Sequence, residues 1–360
     1  MGADITSDID AITADLVGWD KKILSVAKIL RDKNKSSDSG GCGNFLEDNL
    51  SVKVEPDNSS NLIVGGIDGG LLQKEYHGVN IIITRAVCAV FKYKDRKLSD
   101  SDYYPSAFPS PKIKVVKSSF DPSSFSSVAS IFRLEGELGL ACDMLSTQND
   151  MDLLFLDGSL TLHPSVLGGV GPIKKGYEDL VGTVKRMYLL ALEKKTILSG
   201  IVEDSRSQAF IKNCRSMLDV DDVKSLENVK DTHLLTYLLS VGERTSVFRT
   251  VDDNGGVSSE VKGFENNLFS FYIRTSEFDR ALRVDFVAKE NPVAVASKIA
   301  SSIFSMSRHN SAYGIPPVII DADQRAKLSG DELMSVENEI KRGAGRLASF
   351  SELRRNSRPV

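Results

Sequence analysis

Residues 62–71 read Leu62-Ile63-Val64-Gly65-Gly66-Ile67-Asp68-Gly69-Gly70-Leu71, and residues 153–160 echo them as Leu153-Leu154-Phe155-Leu156-Asp157-Gly158-Ser159-Leu160. In each, an apolar run of the kind that builds a buried strand reaches an Asp and then a Gly. Each is expected to be a core strand that ends in its Asp and breaks at the Gly. A carboxylate there is costly unless it is paired, hydrogen-bonded or bound to a metal. Two such ends on neighbouring strands set like charges side by side, and a divalent cation relieves the repulsion. The pattern points to metal-dependent phosphate chemistry. A single Asp-Gly after a strand is often only a turn, so the pairing of the two motifs carries the reading.

Outward from these motifs, residues 79–93 (VNIIITRAVCAVFKY) form a β-like run, and Ile113 to Val116 supply a third strand, with Pro105, Pro109 and Pro111 marking the loop between them. Residues 123–146 predict a helix capped by Ser or Asp, residues 177–195 a second helix, and residues 196–202 another strand. The order is three strands, helix, strand, helix, strand. An antiparallel meander followed by crossover helices gives an α/β fold with a mixed central sheet flanked by helices, the arrangement of ribonuclease H-like folds.

Residues 8–33 carry apolar side chains at helical spacing, and a Gly/Ser-rich loop, expected to be mobile, follows at Ser36 to Gly43. The region from about 205 to 290 is less regular and reads as an inserted α+β segment: a helix at Thr232 to Val241, then strands at Phe269 to Arg274 and Leu282 to Phe286 that suit a hairpin. Residues 292–307 are an amphipathic helix. The organisation expected is an N-terminal helical segment and loop (1–60), a main domain (61–330) and a basic tail (331–360) with Lys341, Arg342, Arg346, Arg354, Arg355 and Arg358.

Two further carboxylates join Asp68 and Asp157 as candidates. In Arg133-Leu134-Glu135-Gly136-Glu137-Leu138, Glu137 lies beside Leu134 and Ala141 on the helical wheel and looks inwards, while Glu135 points more to the side. Late in the chain, Val318-Ile319-Ile320 leads into Asp321-Ala322-Asp323. Asp323 is the fourth candidate, against the plainer reading that it caps a helix starting near Gln324. Two-metal phosphoryl transfer needs three or four carboxylates around its cations.

Composition sets the bounds. A formal net charge of −4 over 360 residues gives no global basic signature for nucleic acid. Cys42, Cys88, Cys142 and Cys214 are far apart, with no CxxC, and none of the four His residues has zinc-ligand spacing; reduced thiols in a cytoplasm are expected. No apolar stretch approaches the ~20 residues of a membrane span. The loop at 168–176 lacks the P-loop pattern, since Tyr177 stands where Lys is required. Lys174, Lys175, His77 and His163 read as solvated loop residues.

With these residues in view, the chain resembles the NurA nucleases, partners of the HerA translocase. The matching pieces are Gly66-Ile67-Asp68-Gly69-Gly70, Arg133 with Glu137, Phe155-Leu156-Asp157-Gly158-Ser159-Leu160, Ser240-Val241-Gly242-Glu243-Arg244, Phe271-Tyr272-Ile273-Arg274, Pro316-Pro317 and Ala322-Asp323. The resemblance implies a ribonuclease H-like fold whose sheet carries Asp68, Glu137, Asp157 and Asp323 as catalytic metal ligands, with Mn2+, or Mg2+ in its place. It implies a homodimer, with no membrane association, that degrades single-stranded DNA and resects duplex ends 5′ to 3′ beside a HerA-like hexameric ATPase in double-strand break repair. One departure stands out: where the family often has a Lys near a Ser, this chain reads Val202-Glu203-Asp204-Ser205-Arg206, which puts that phosphate contact in question and leaves Glu203 or Asp204 open as an extra ligand. The rival readings are a degenerate regulatory subunit of a DNA translocase and an actin-like ATPase or kinase. The 89-residue spacing from Asp68 to Asp157 suits a single ribonuclease H-like sheet better than the two duplicated halves of the latter.

Overall fold

A computed structural model describes residues 2–33, 45–57, 61–117, 120–162, 172–250 and 259–345. In chain order its elements are α1 (Gly2–Lys33), β1 (Ser51–Lys53), β2 (Asn61–Glu75), β3 (Asn80–Lys94), β4 (Lys97–Tyr104), β5 (Lys112–Val116), α2 (Pro122–Thr147), β6 (Leu153–Asp157), α3 (Pro172–Glu193) and β7 (Ile197–Val202). Then follow α4 (Ala209–Cys214), α5 (Val220–Ser225), α6 (Asp231–Leu238), β8 (Glu243–Thr245), β9 (Phe248–Arg249), β10 (Leu268–Arg274), β11 (Leu282–Val287), α7 (Pro292–Ser307), α8 (Pro317–Ala326) and α9 (Gly330–Ala344). The loop expected at Ser36 to Gly43, His163 and the basic residues from Arg346 onward lie outside the described residues.

The chain forms two compact units. One comprises residues 1–58, 200–257 and 263–316; the other comprises 59–199, 258–262 and 317–360. The division falls within β7.

The second unit holds all four candidate carboxylates. Its strands run in the order β6-β2-β3-β4, with β5 also on β3. β6 is parallel to β2 and the remaining pairs are antiparallel. This is the mixed α/β sheet with flanking helices expected from the element order. Val64, Ile67, Ile81, Ile83 and Leu153 to Leu156 are buried, and Phe125, Leu138, Leu180, Val184, Met187 and Tyr188 bring α2 and α3 into the core. Each such side chain contributes about 1.5–3 kcal/mol of transfer free energy. The start of α2 is fixed by Asp121, which accepts from the amides of Ser123 and Ser124 ahead of Pro122 in the first turn. A capping box between Ser329 and Glu332 starts α9, whose Leu333, Val336 and Ile340 pack on Tyr76, Ile81 and Ile83.

Four expectations are corrected. β2 does not end at Asp68 but continues to Glu75, because every residue from 61 to 75 stays in register with β3. The strand at 97–104 escapes a reading by apolar content: KLSDSDYY is an edge strand with its first four residues exposed, held by its ladder to β3 and by Lys92 bonding Asp100 and Asp102 at 3.1 and 2.6 Å. The apolar run before Asp323 belongs to a helix, α8, and Asp323 lies inside it instead of capping a later one. α9 also falls within the stretch read as a basic tail.

The first unit pairs β1-β8-β10-β11 in antiparallel fashion, with β9 on β10. The expected hairpin is present, as Leu268 to Ile273 pair with Leu282 to Val287. Ile23, Val26 and Leu30 of α1 are buried with Phe210, Leu234, Leu235, Phe248 and Tyr272. A fully buried carboxylate, Asp231, is satisfied by the amides of Phe210 and Ile211 and by the hydroxyl of Tyr272.

Candidate metal centre

Asp68 sits in the middle of β2 between two glycine pairs. Side chains alternate across a strand, so positions 66, 68 and 70 share one face and positions 65 and 69 the other. A Cβ on Gly66 would lie 2.8 Å from the carbonyl oxygen of Val318, and one on Gly70 would lie 2.0 Å from that of Ala326. The backbone of α8 therefore rests directly on β2 on either side of Asp68. On the opposite face, a Cβ on Gly69 would stand 2.1 Å from Glu137 Oε1. Gly69 and Gly70, which read as the break after Asp68, are with Gly66 where helices from both faces reach the strand.

These approaches bring the four predicted carboxylates into one neighbourhood. Leu156 is paired in register with Ile67, so Asp157, which ends β6, is the next residue beside Asp68. Adjacent strands lie about 4.8 Å apart. Gly158 follows at φ +114, a conformation that turns the chain sharply away and that L side chains rarely adopt. Glu137 arrives from α2 and is 5% exposed; Asp68 is 6% exposed. Asp157 is half-buried, and Asp323 is exposed on α8.

Arg133, one turn before Glu137, places Nη1 2.8 Å from Glu137 Oε1 and donates a long bond of 3.4 Å to the carbonyl of Gly69. The contact to Glu137 is an ion pair without hydrogen-bond alignment, and the buried Oε1 has no hydrogen-bond partner. This arginine was visible in the sequence only as part of the resemblance; its i, i+4 spacing to Glu137 is the signal for the pair.

The electrostatics follow from this crowding. Burial is the main cause that pushes Glu137 up to about 8; Arg133 opposes the shift, while Asp68 and Asp157 add to it. Burial also raises Asp68, helped by the charge of Asp323 and countered by the Gly69 amide and Arg133. Four carboxylates thus form a linked group, with Arg133 as the cation that acts on both Asp68 and Glu137. Among the described residues, no three acidic, thiol or imidazole groups converge closely enough to enclose an ion as they stand. The donor set still fits a hard divalent cation: all its atoms are oxygen, one is buried without a hydrogen-bond partner, and the group raises its own proton affinity.

The remaining acidic candidates are engaged elsewhere. Asp321 pairs with Arg325 at 3.0 Å. Glu203 accepts from the Tyr313 hydroxyl and Asp204 pairs with Arg280, both within the other compact unit. Glu135 lines a groove of about 250 Å³ with Arg85, Lys112 and Arg133. Lys174, Lys175 and His77 are exposed.

The sequence matches the NurA domain family over residues 62–328. The chain belongs to the NurA family. The solved NurA nuclease from Sulfolobus solfataricus is 14% identical, with a TM-score of 0.54 over 94% of this chain and 99% of that one. A NurA structure with manganese is 9% identical, with a TM-score of 0.50 over 96% and 100%. Another NurA structure is 9% identical, with a TM-score of 0.51 over 94% and 98%. At these identities the likeness shows the fold, that of NurA. The search of curated proteins returned no match. Among the described residues, no helix of this NurA-family chain is long and apolar enough to cross a membrane.

Proposed function

We propose that this chain is a metal-dependent deoxyribonuclease whose catalytic ligands are Asp68, Glu137, Asp157 and Asp323. The observation that carries the reading is that four carboxylates from β2, α2, β6 and α8 act on one another around the glycine-lined stretch of β2, with Glu137 Oε1 buried there without a hydrogen-bond partner. Manganese suits the oxygen donors, and a NurA structure with manganese supports it; magnesium, which shares the ligand preference, is the alternative ion.

Asp68 and Asp157, adjacent on parallel strands, would be shared ligands. Glu137 would hold an ion on the α2 side and Asp323 one on the α8 side. Bound divalent cations supply charge neutralisation at the phosphate and a water of lowered pKa. The chain's own contribution is preorganisation. The glycine cradle lets α2 and α8 pack closely on β2, which would keep the four carboxylates near one another before substrate arrives, and Arg133 pairs with Glu137.

The fuller reading follows family membership: a homodimer in the cytoplasm, 5′ to 3′ exonuclease action on single- and double-stranded DNA with endonuclease action on single strands, and work beside a HerA-like hexameric ATPase in end resection and double-strand break repair. The test is incubation of the purified full chain with end-labelled single-stranded and duplex DNA in manganese and in EDTA. Cleavage in manganese alone supports the reading. No cleavage of any DNA, with or without a HerA-like ATPase, overturns it.

A further inference from the structure

We propose that Phe108, whose ring lies against the Arg325 guanidinium that also covers Tyr103, is a platform on which a nucleobase of single-stranded DNA stacks beside the metal centre. The proposal rests on the nuclease reading above and names how that site holds its strand.

The position follows from the strand register. β4 pairs with Cys88 to Lys94 of β3 and β5 pairs with Asn80 to Thr84, which leaves residues 85–87 of that edge to neither strand. Across β3 from this interval stand Gly70, Gly69 and Asp68, paired with Arg85, Ala86 and Val87. The connection from β4 to β5, residues 105–111, spans the interval. The edge of β3 that it spans faces away from β2, and two strand spacings, roughly 10 Å, separate the line of β4 and β5 from the backbone of Asp68.

The loop is braced. Pro105, Pro109 and Pro111 fix three of its φ angles, and Arg85 Nε donates to the Pro109 carbonyl at 2.8 Å. Phe108 at its tip is 71% exposed. The Arg325 guanidinium lies 5.1 Å from the centre of its ring and 3.7 Å from that of Tyr103, and donates to the Tyr103 hydroxyl at 2.9 Å. Asp321 orients the same guanidinium from one turn back along α8. Arg325 is two residues beyond Asp323, so the stack and the fourth carboxylate share one helix.

A ring this exposed adds little to the fold, yet it is held in place by prolines and an arginine stack. Such a ring is ready to receive a flat apolar partner without loss of loop entropy. Aromatic rings interleaved with arginine are how proteins hold single strands without regard to sequence, since every base offers a π face. Lys112, where the loop enters β5, has no acidic partner among the described residues and is available to a phosphate.

The test uses the full chain in EDTA, with fluorescence anisotropy of labelled oligothymidine and of a matched oligonucleotide whose central residues are abasic. Wild type is expected to bind oligothymidine more tightly than the abasic strand. Phe108→Ala should weaken binding to oligothymidine about tenfold and leave binding to the abasic strand unchanged, while Phe108→Trp retains the wild-type affinity. In manganese, Phe108→Ala should raise KM on single strands with kcat retained. If wild type binds and cleaves DNA but Phe108→Ala binds oligothymidine equally well, the platform is wrong and the nuclease reading stands. If wild type neither binds nor cleaves any DNA, both fall.

Discussion

The carboxylate of Glu137 occupies the space that a side chain on residue 69 would need: a Cβ there would come within 2.1 Å of Oε1 and 2.7 Å of Cγ. Gly69 is thus a requirement of the site and of the fold at one point. Gly69→Ala forces either α2 or the Glu137 rotamer to move. Overpacking of this kind costs about 1–3 kcal/mol, and the cleavage rate should fall at least tenfold. The double variant Gly69→Ala/Glu137→Ala should recover most of the lost stability without activity, because the clash and the carboxylate leave together. Denaturant melts of the four species in a double-mutant cycle check this.

Asp68→Asn removes a negative charge from a group of four carboxylates that act on one another. Metal-free stability should stay equal or rise, whereas loss of a merely structural buried carboxylate should lower it. Ion binding stabilises the folded state by about 2.7 kcal/mol at 100 times Kd. The wild-type melting temperature should therefore rise in manganese, and that of Asp68→Asn should not.

Glu137 has a folded pKa of about 8 against 4.5 for the free side chain. The folded state keeps this proton where the unfolded state has released it. Its stabilising contribution is complete below pH 4.5 and is lost as pH rises towards 8. Arg133 limits the effect, while Asp68 and Asp157 enlarge it. Urea melts in EDTA between pH 5 and 9 should show stability falling with pH, and Glu137→Gln should flatten that slope. Excess manganese should flatten it as well, since a bound cation replaces the proton.

Gly158, at φ +114, lets the chain leave β6 immediately after Asp157. Gly158→Ala should cost about 1–3 kcal/mol from backbone strain, although a Cβ there meets nothing within 4 Å. Calorimetry should show a lower melting temperature with the manganese-induced rise preserved, because no ligand is altered.

Much of this was legible in the sequence. Glu137 follows from helical spacing alone, α7 matches its expected residues, and the β10–β11 hairpin was visible in two short β-rich runs. The misreadings share a cause: local patterns do not show what packs against them. Gly69-Gly70 read as a break after Asp68 because glycine usually marks a turn, yet here Gly69 admits α2 and Gly66 and Gly70 admit α8 to one continuous strand. The helix at Asp323 read as starting near Gln324, because the apolar run before it is too short to show a helical period, yet α8 starts at Pro317. β4 carries polar, exposed residues because it lies at the end of the strand order in its unit. Glu203 and Asp204, the only support for a degenerate subunit, are bonded to Tyr313 and Arg280.

The central claim is that these four carboxylates form the metal centre. The most direct measurement is manganese binding, read from the loss of the free-ion electron paramagnetic resonance signal, for the wild type beside Asp68→Asn, Glu137→Gln and Asp157→Asn. The account predicts that the wild type depletes the signal, that each variant depletes it far less, and that all four proteins melt cooperatively. Variants that bind manganese as the wild type does would contradict it.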